Sequence, residues 1–113
     1  MASERQVHRL ADILVRHSVK AKKGEIVRIS TSESGRPLAL AVYREVLRAG
    51  AHPLLSVGFE EANGIFYEEA SPEQIAHLPP TKMYEAKTID ADIVILAPRN
   101  TRNLSHIPPR TMA

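Results

Sequence analysis

Hydrophobic positions recur along the chain with the spacing of helices in four segments. Residues 3–20 and 37–49 each carry apolar side chains every three or four positions, which is the pattern of an amphipathic helix. Residues 60–70 and 81–90 have weaker versions of this pattern. Within 60–70 we expect the Asn63-Gly64 pair to interrupt the helix, because both residues favour turns.

Three short segments between these helices are predicted to be strands: 25–30, 54–57 and 92–97, all rich in aliphatic residues. The third is apolar for five residues in a row, which is typical of a strand that is covered on both faces. Strands that alternate with helices predict parallel pairing through right-handed crossovers. We expect the strand order 2-1-3, with 92–97 the most protected strand. Ser71-Pro-Glu-Gln74 fits a capping box that begins one more short helix.

The composition fits a single soluble domain of the α/β class. The chain has 113 residues, of which 43% are apolar and 25% charged, as in ordinary globular proteins. A chain of this length buries enough surface to form a core without the help of disulfide bonds or bound metal ions. We therefore expect residues 1–113 to form one domain, with a short, mostly parallel sheet and flanking helices. Its Pro-rich end, which has no covering helix, suggests that the chain is a fragment of a larger protein.

Several function classes are excluded by what the sequence lacks. It has no Cys, which excludes disulfides, thiolate metal sites and a cysteine nucleophile. It has neither an apolar run long enough to span a membrane nor the apolar region of a signal peptide, so we predict a cytoplasmic protein without a membrane partner. Ten Lys and Arg against five Asp and Glu make residues 1–57 basic, whereas residues 58–113 have net charge −3. No aromatic residues interleave with the arginines, so we expect no nucleic acid partner.

Candidate chemistry is concentrated after the first strand. The segment 30–36 joins hydroxyl side chains and Arg36 to the start of a helix, an arrangement that could hold an anion at the carboxyl edge of the sheet. The alternative interpretation is that these residues only cap and turn the chain. Arg99 and Asn100 follow the third strand and fall at the same edge. We therefore predict a cleft or an interdomain contact that involves Arg36, Arg99 and Asn100.

No catalytic or metal-binding motif is found in the sequence. The five His residues form no HExxH pair, and the run of glutamates between residues 60 and 73 is best explained as a solvated helix face. Nucleotide-binding glycine motifs and a nucleophile elbow are also missing. The residues alone thus indicate a small α/β domain without a self-sufficient active site, and we predict neither catalytic nor metal-binding residues in this chain.

The order of the motifs resembles the beginning of the aminopeptidase T / aminopeptidase S family, the dinuclear-metal leucyl aminopeptidases of thermophiles. The similarity spans about residues 7–113 and is carried by five stretches: Leu10-Ala-Asp-Ile-Leu-Val-Arg-His-Ser-Val19, Lys23-Gly-Glu-Ile-Val-Arg-Ile-Ser30, the Ala49-Gly-Ala51 turn that closes the second helix, Ala70-Ser-Pro-Glu-Gln74, and Asp92-Ile-Val-Ile-Leu96 followed by Asn100 and Leu104.

The resemblance implies the non-catalytic N-terminal domain of a metallo-aminopeptidase that removes N-terminal residues from peptides. In that family the two divalent metal ions (zinc, cobalt or manganese) are bound by a C-terminal domain that has no counterpart in this sequence, so this chain is expected to bind none. The implied partners are the peptide substrate, the protein's own C-terminal domain and a second copy in a homodimer. A stand-alone α/β module that binds a small ligand or a protein partner is the alternative.

Overall fold

The computed structural model describes residues 4–96, which form five α-helices and three strands. The helices are α1 (Glu4–Asp12), α2 (Arg36–Arg48), α3 (Glu60–Glu69), α4 (Pro72–Ala76) and α5 (Pro80–Thr88), and the strands are β1 (Ile26–Ser32), β2 (His52–Gly58) and β3 (Ala91–Ile95). A π-helical turn, Ile13–Ser18, extends α1, and a 3-10 turn, Glu33–Gly35, precedes α2. The fold is α/β, as the alternation of predicted strands and helices indicates.

The three strands form one parallel sheet with β1 at its centre. The order is β2-β1-β3, which confirms the predicted order 2-1-3. Ile29 lies between Leu55 of β2 and Ile93 of β3 in the register. β2 begins at His52, earlier than the sequence predicts. Pro53 is accommodated in β2 because this strand lies at the edge of the sheet among the described residues, where a missing backbone donor is tolerated.

The core lies between one face of the sheet and a helical layer, which we define as α1, the π-helical turn and α2. Val27 and Ile29 of β1 are fully buried, as are Val42 and Val46 of α2. α2 packs on β1 and β2, and α1 packs on α2. These aliphatic residues alternate with polar ones in β1 and recur at helical spacing in α2, so each element turns one apolar side toward the other.

A buried carboxylate links the two parts of the helical layer. Glu45 is only 8% exposed. Its Oε2 lies 2.9 Å from Nη1 of Arg48, and its Oε1 lies 3.6 Å from Nη2 of Arg16 in the π-helical turn. Burial of a carboxylate is costly unless it is paired, and here both of its oxygens face a guanidinium.

The other face of the sheet is more exposed than the sequence predicts. Ile93 and Ile95 of β3 are buried against the helical layer, but Val94 between them is 59% exposed. The prediction that this strand is covered on both faces is therefore wrong. An apolar run identifies a strand, but it cannot show whether a second layer of helices lies over it.

The segment from α3 to α5 extends from the body and contains no buried residue. The radius of gyration is 15.9 Å, against about 13 Å for a compact domain of 100 residues. α3 continues through Asn63 and Gly64, so the predicted interruption is wrong. The capping box at α4 is confirmed: Oγ of Ser71 accepts from the Gln74 amide at 3.2 Å, and the Gln74 side chain accepts from the Ser71 amide at 2.9 Å.

Candidate functional site: the carboxyl edge of the sheet

The segment 30–36 connects the central strand directly to the helical layer. β1 continues to Ser32, the 3-10 turn takes up the next three residues, and Arg36 begins α2. The strand therefore continues for two residues beyond the predicted segment 25–30, through Thr31 and Ser32. The hydroxyls and Arg36 lie where parallel sheets commonly bind ligands, at the carboxyl ends of the strands.

A cleft of about 490 Å³ opens at this edge, between the end of β1, the start of α2 and the end of β2. It combines three hydroxyl side chains and two charged ones with an apolar floor. Its lining consists of Thr31, Ser32, Glu33, Ser34, Arg36, Ala39, Leu40, Leu55, Val57 and Phe59. A small number of polar groups beside a larger apolar surface is typical of sites that bind small molecules or peptide side chains.

Hydrogen bonds of the hydroxyls hold the edge together. Oγ1 of Thr31 donates to the backbone oxygen of Ser32 at 3.1 Å and approaches that of Ile95 at 3.4 Å, which links β1 to β3. The hydroxyls of Ser32 and Ser34 lie 3.1 Å apart. The turn is close-packed at Gly35, where a Cβ atom would overlap Oγ1 of Thr31. The hydroxyls thus take part in turning the chain, but none of them makes a side-chain hydrogen bond that caps the 3-10 turn or α2.

Arg36 is the one predicted site residue within the described part of the chain. It lines the cleft, its side chain is exposed, and no carboxylate among residues 4–96 forms an ion pair with it. Its guanidinium is therefore available to a carboxylate or another anion. Arg99 and Asn100 lie outside the described residues, so their predicted place beside Arg36 stays a prediction.

A second polar cluster, which the sequence did not predict, lies on the exposed face of the sheet. Arg28 of β1 donates to both carboxylate oxygens of Asp92 in β3, at 3.2 and 2.7 Å. Ser30 donates to the same carboxylate at 3.3 Å, and Glu85 of α5 lies 3.5 Å from the guanidinium. Arg28 therefore joins β1, β3 and α5.

The electrostatics of this cluster follow from its hydrogen bonds. The Arg28 guanidinium holds the pKa of Asp92 below its usual value, mainly by hydrogen bonding, although partial burial opposes this effect. Asp92 in turn raises the pKa of Arg28, again mainly by hydrogen bonding. Because Arg28 and Asp92 are paired in the sheet register, the cluster has the geometry of a structural clamp between strands. Arg28 occupies a polar position of the alternating strand β1, but Asp92 only precedes an apolar run, so the sequence carries no signal that pairs the two.

The described residues do not fit a metal centre. Among residues 4–96, no three His, Asp or Glu side chains come together in a group that could hold a metal ion. His8 lies beside Glu4 at 3.7 Å within α1, and His52 and His77 belong to different elements, β2 and the end of α4. No step that needs metal-activated water can therefore be derived from this part of the chain. The same residues include no helix that is both long and apolar enough to cross a membrane.

A family match and a structural similarity relate this chain to known proteins. Residues 3–113 match the family described as "Thermophilic metalloprotease (M29)". The fold is similar to that of wild-type AmpT from Thermus thermophilus, with a TM-score of 0.65 and 18% sequence identity over 98% of this chain. The match covers 29% of the AmpT chain, so this chain spans less than a third of that protein. No curated protein sequence is significantly similar to it.

Proposed function

Since this chain belongs to the thermophilic metalloprotease (M29) family, we propose that it is the N-terminal domain of a metal-dependent aminopeptidase. The reaction we propose for the whole protein is the removal of N-terminal residues, leucine among them, from peptides in the cytoplasm. The observation that carries this proposal is the family match over residues 3–113. The similarity of the fold to 29% of the AmpT chain supports an assignment to one domain of a longer protein.

Within that enzyme, the role we propose for residues 4–96 is structural and substrate-related, not catalytic. Metal-dependent hydrolysis requires a bound ion with an open coordination position, and this part of the chain brings no set of ligands together. We place the two divalent ions, zinc, cobalt or manganese, in a C-terminal domain of the whole protein. This domain and the peptide would then be the partners of the cleft at the carboxyl edge.

The cleft is the part of the structure best suited to those partners. It combines the guanidinium of Arg36, which has no ion-pair partner among residues 4–96, with an apolar floor that includes Leu55 and Phe59. An arginine can bind a carboxylate through two parallel hydrogen bonds, and the floor can accept an aliphatic or aromatic side chain. Arg99 and Asn100 are proposed to act at the same edge. All three residues would position the peptide or the second domain without breaking the peptide bond.

The assignment is tested by expressing the complete reading frame and, separately, the chain of residues 1–113. Both are assayed with leucine p-nitroanilide in the presence of cobalt, zinc or manganese, after removal of metal with a chelator. We expect metal-dependent hydrolysis by the longer product and none by the 113-residue chain. A long product that hydrolyses no aminoacyl substrate with any of these metals would overturn the aminopeptidase proposal. Activity in the short chain would overturn only the non-catalytic role.

A stand-alone binding module is the second candidate. It is favoured by the cleft of about 490 Å³, where Arg36 has no ion-pair partner in the described part of the chain. This candidate predicts that the reading frame ends at Ala113 and that the chain binds a small carboxylate or phosphate. Calorimetric titration of such anions into the wild type and into Arg36→Ala is the matching experiment. Binding that Arg36→Ala abolishes, in a protein whose gene ends at residue 113, would support the module over the enzyme.

A further inference from the structure

The cleft at the carboxyl edge contains two charged residues of opposite sign that are not paired with each other. Glu33 lies in the 3-10 turn and Arg36 begins α2, so the two are three residues apart, and both line the cleft. Both residues are exposed, and neither forms an ion pair with any group among residues 4–96. The cleft therefore offers an anionic acceptor and a cationic donor to a ligand.

The serine hydroxyls of the cleft add a further donor. The Oγ atoms of Ser32 and Ser34 lie 3.1 Å apart, so one hydroxyl donates to the other. Each hydroxyl has one donor hydrogen and two acceptor lone pairs, so the pair retains one O–H for a ligand. Both serines line the cleft together with Arg36. A carboxylate suits this set of donors, because its two oxygens accept several hydrogen bonds at once.

The apolar floor of the cleft is formed by large side chains that the protein itself leaves uncovered. They are between 39% and 60% exposed: Leu40, Leu55, Val57 and Phe59. Single exposed apolar residues are ordinary on a protein surface, but these four line one cleft. Contact with an apolar group of a ligand removes such surface from water, which is favourable in proportion to the area covered. The floor therefore suits an aliphatic or aromatic side chain.

We infer that the cleft binds an apolar α-amino acid unit with a free carboxylate, either the last residue of a short peptide or a free amino acid. The carboxylate would pair with Arg36 through two parallel hydrogen bonds, the amide N–H or the ammonium would donate to Glu33, and the side chain would lie on the floor. In such a unit all three groups are attached to one carbon atom, as a cleft with all three complements requires. The side chain of an aspartate or glutamate would leave the floor empty.

This ligand gives the cleft a specific use in the complete enzyme. The carboxyl end of a peptide substrate would bind there, so short peptides with an apolar last residue would be preferred to peptides whose carboxyl end is blocked. That consequence rests on the proposed function, whereas binding of the ligand by the chain itself does not.

The test is calorimetric titration of N-acetyl-L-leucine into the 113-residue chain and into the product of the complete reading frame, after circular dichroism melting has shown that each is folded. This probe has no free amino group, so an aminopeptidase does not cleave it. We expect saturable binding with a Kd of about 1 mM or below, which is within reach of a ligand of this size. N-acetyl-L-leucinamide lacks the carboxylate and N-acetylglycine lacks the side chain, so each should bind at least about 10-fold more weakly.

Substitutions assign the binding to the cleft. Arg36→Ala should weaken the binding of N-acetyl-L-leucine by about 10-fold or more and leave that of the amide unchanged. Arg44→Ala is the matched control, because Arg44 is another exposed arginine of α2 but does not line the cleft. It should bind the probe like the wild type.

Free L-leucine separates the two sources of the ligand. A site for the free amino acid binds L-leucine more tightly than N-acetyl-L-leucine, and Glu33→Gln removes this advantage because it removes the partner of the ammonium. A site for the end of a peptide binds the acetylated probe at least as tightly as L-leucine. Either result supports the inference.

The inference would be overturned if neither protein showed saturable binding of N-acetyl-L-leucine at about 10 mM. Equal affinity for the acid and the amide would also contradict it, as would a loss of binding in Arg44→Ala as large as that in Arg36→Ala. None of these outcomes bears on the aminopeptidase proposal, because leucine p-nitroanilide, the substrate that tests it, has no free carboxylate.

Discussion

At the scale of single residues, Arg28 connects more of the molecule than any other charged side chain described above. It pairs with Asp92 across the sheet, through hydrogen bonds of 3.2 and 2.7 Å, and with Glu85 of α5 at 3.5 Å. The planar fork of a guanidinium suits such bidentate contacts, whereas the ammonium of a lysine is a point charge without this geometry. The cluster therefore holds α5 on a face of the sheet that has few other contacts with it.

The lowered pKa of Asp92 predicts a pH dependence of stability. In the unfolded chain an aspartate titrates near pH 3.9, and in the folded protein the pKa of Asp92 is lower. The stabilising effect is thus fully present above the unfolded value and disappears as the pH falls through the folded value. We expect Asp92→Asn to reduce the free energy of unfolding by about 1 kcal/mol or less at pH 7, because the pair is partly exposed.

Urea denaturation of the wild type and Asp92→Asn between pH 2.5 and pH 7 measures this difference. The difference between the two proteins should be constant above about pH 5, shrink as the pH falls below about 3.9, and vanish only below the lower pKa that Asp92 has in the folded protein. Ser30→Ala, which removes only the 3.3 Å hydrogen bond to the same carboxylate, is the control and should have the smaller effect. A difference that is independent of pH would contradict the role given to the Asp92 carboxylate.

Gly35 offers a second test at this scale, because of how tightly the turn before α2 is packed. A Cβ atom at this position would overlap Oγ1 of Thr31 and lie 3.1 Å from Cγ2 of Ile95. Relief of this overlap would disturb the Thr31 hydrogen bonds that link β1 to β3. We expect Gly35→Ala to lower the free energy of unfolding by about 1–3 kcal/mol, the usual range for overpacking.

Gly64→Ala is the matched substitution, since nothing lies within 4 Å of a Cβ at Gly64. That glycine lies inside α3, where alanine is the better helix former, so the variant should be more stable by about 0.5–1 kcal/mol. Both values are obtained from urea titrations followed by circular dichroism. If Gly35→Ala were as stable as the wild type, the close packing at the carboxyl edge would be wrong.

At the scale of elements, the central position of β1 determines which amides are protected. In a parallel sheet a central strand bonds to both neighbours, whereas an edge strand leaves every second amide unpaired. Within the described residues β1 is central and β3 lies at an edge. We therefore expect residues 27–29 to exchange more slowly than residues 93–95, which reverses the order that the apolar run of β3 predicts. Amide hydrogen exchange measured by NMR decides between these two orders of protection. Faster exchange in β1 than in β3 would contradict this topology.

Some features of the helices and strands can be predicted from local sequence patterns, and others cannot. The capping box at Ser71 and the helix after Pro37 follow from turn chemistry and periodicity, which act over a few residues. The exposed side of Val94 does not, because it depends on whether a second layer packs over the sheet, and neither does the uninterrupted helix through Gly64. A glycine costs a solvated helix only about 1 kcal/mol, which its neighbours can offset.

The same distinction, between local patterns and contacts of distant segments, applies to the candidate site. The sequence places Arg36 at the carboxyl edge of the sheet because parallel strands share that edge. It does not reveal the pair of Arg28 and Asp92, which are 64 residues apart and meet only because the register of β1 and β3 aligns them.

At the scale of the whole molecule, charge and apolar exposure are divided between two parts of the chain. The helical layer is basic and covers one face of the sheet, while α3 and α4 are acidic and contain no buried residue. A chain that spans 29% of AmpT can present such surfaces to a second copy or to other domains of the same protein.

The last prediction concerns the cleft in the complete enzyme and assumes the aminopeptidase activity proposed above. If Arg36 binds the peptide, Arg36→Ala removes a charge-assisted hydrogen bond worth about 1.5–3 kcal/mol, so KM should rise by about 10-fold or more. The value of kcat should change little, because the residue is not expected to contact the reacting atoms. Arg48→Ala is the control. Arg48 pairs with Glu45 at the far end of α2, so this substitution should leave KM unchanged.

Arg99→Ala and Asn100→Ala are measured in the same way. If Arg36→Ala, Arg99→Ala and Asn100→Ala all kept wild-type kinetics and wild-type dimerisation, the carboxyl edge would have no part in substrate binding or assembly, and its hydroxyls and Arg36 would serve only to start α2.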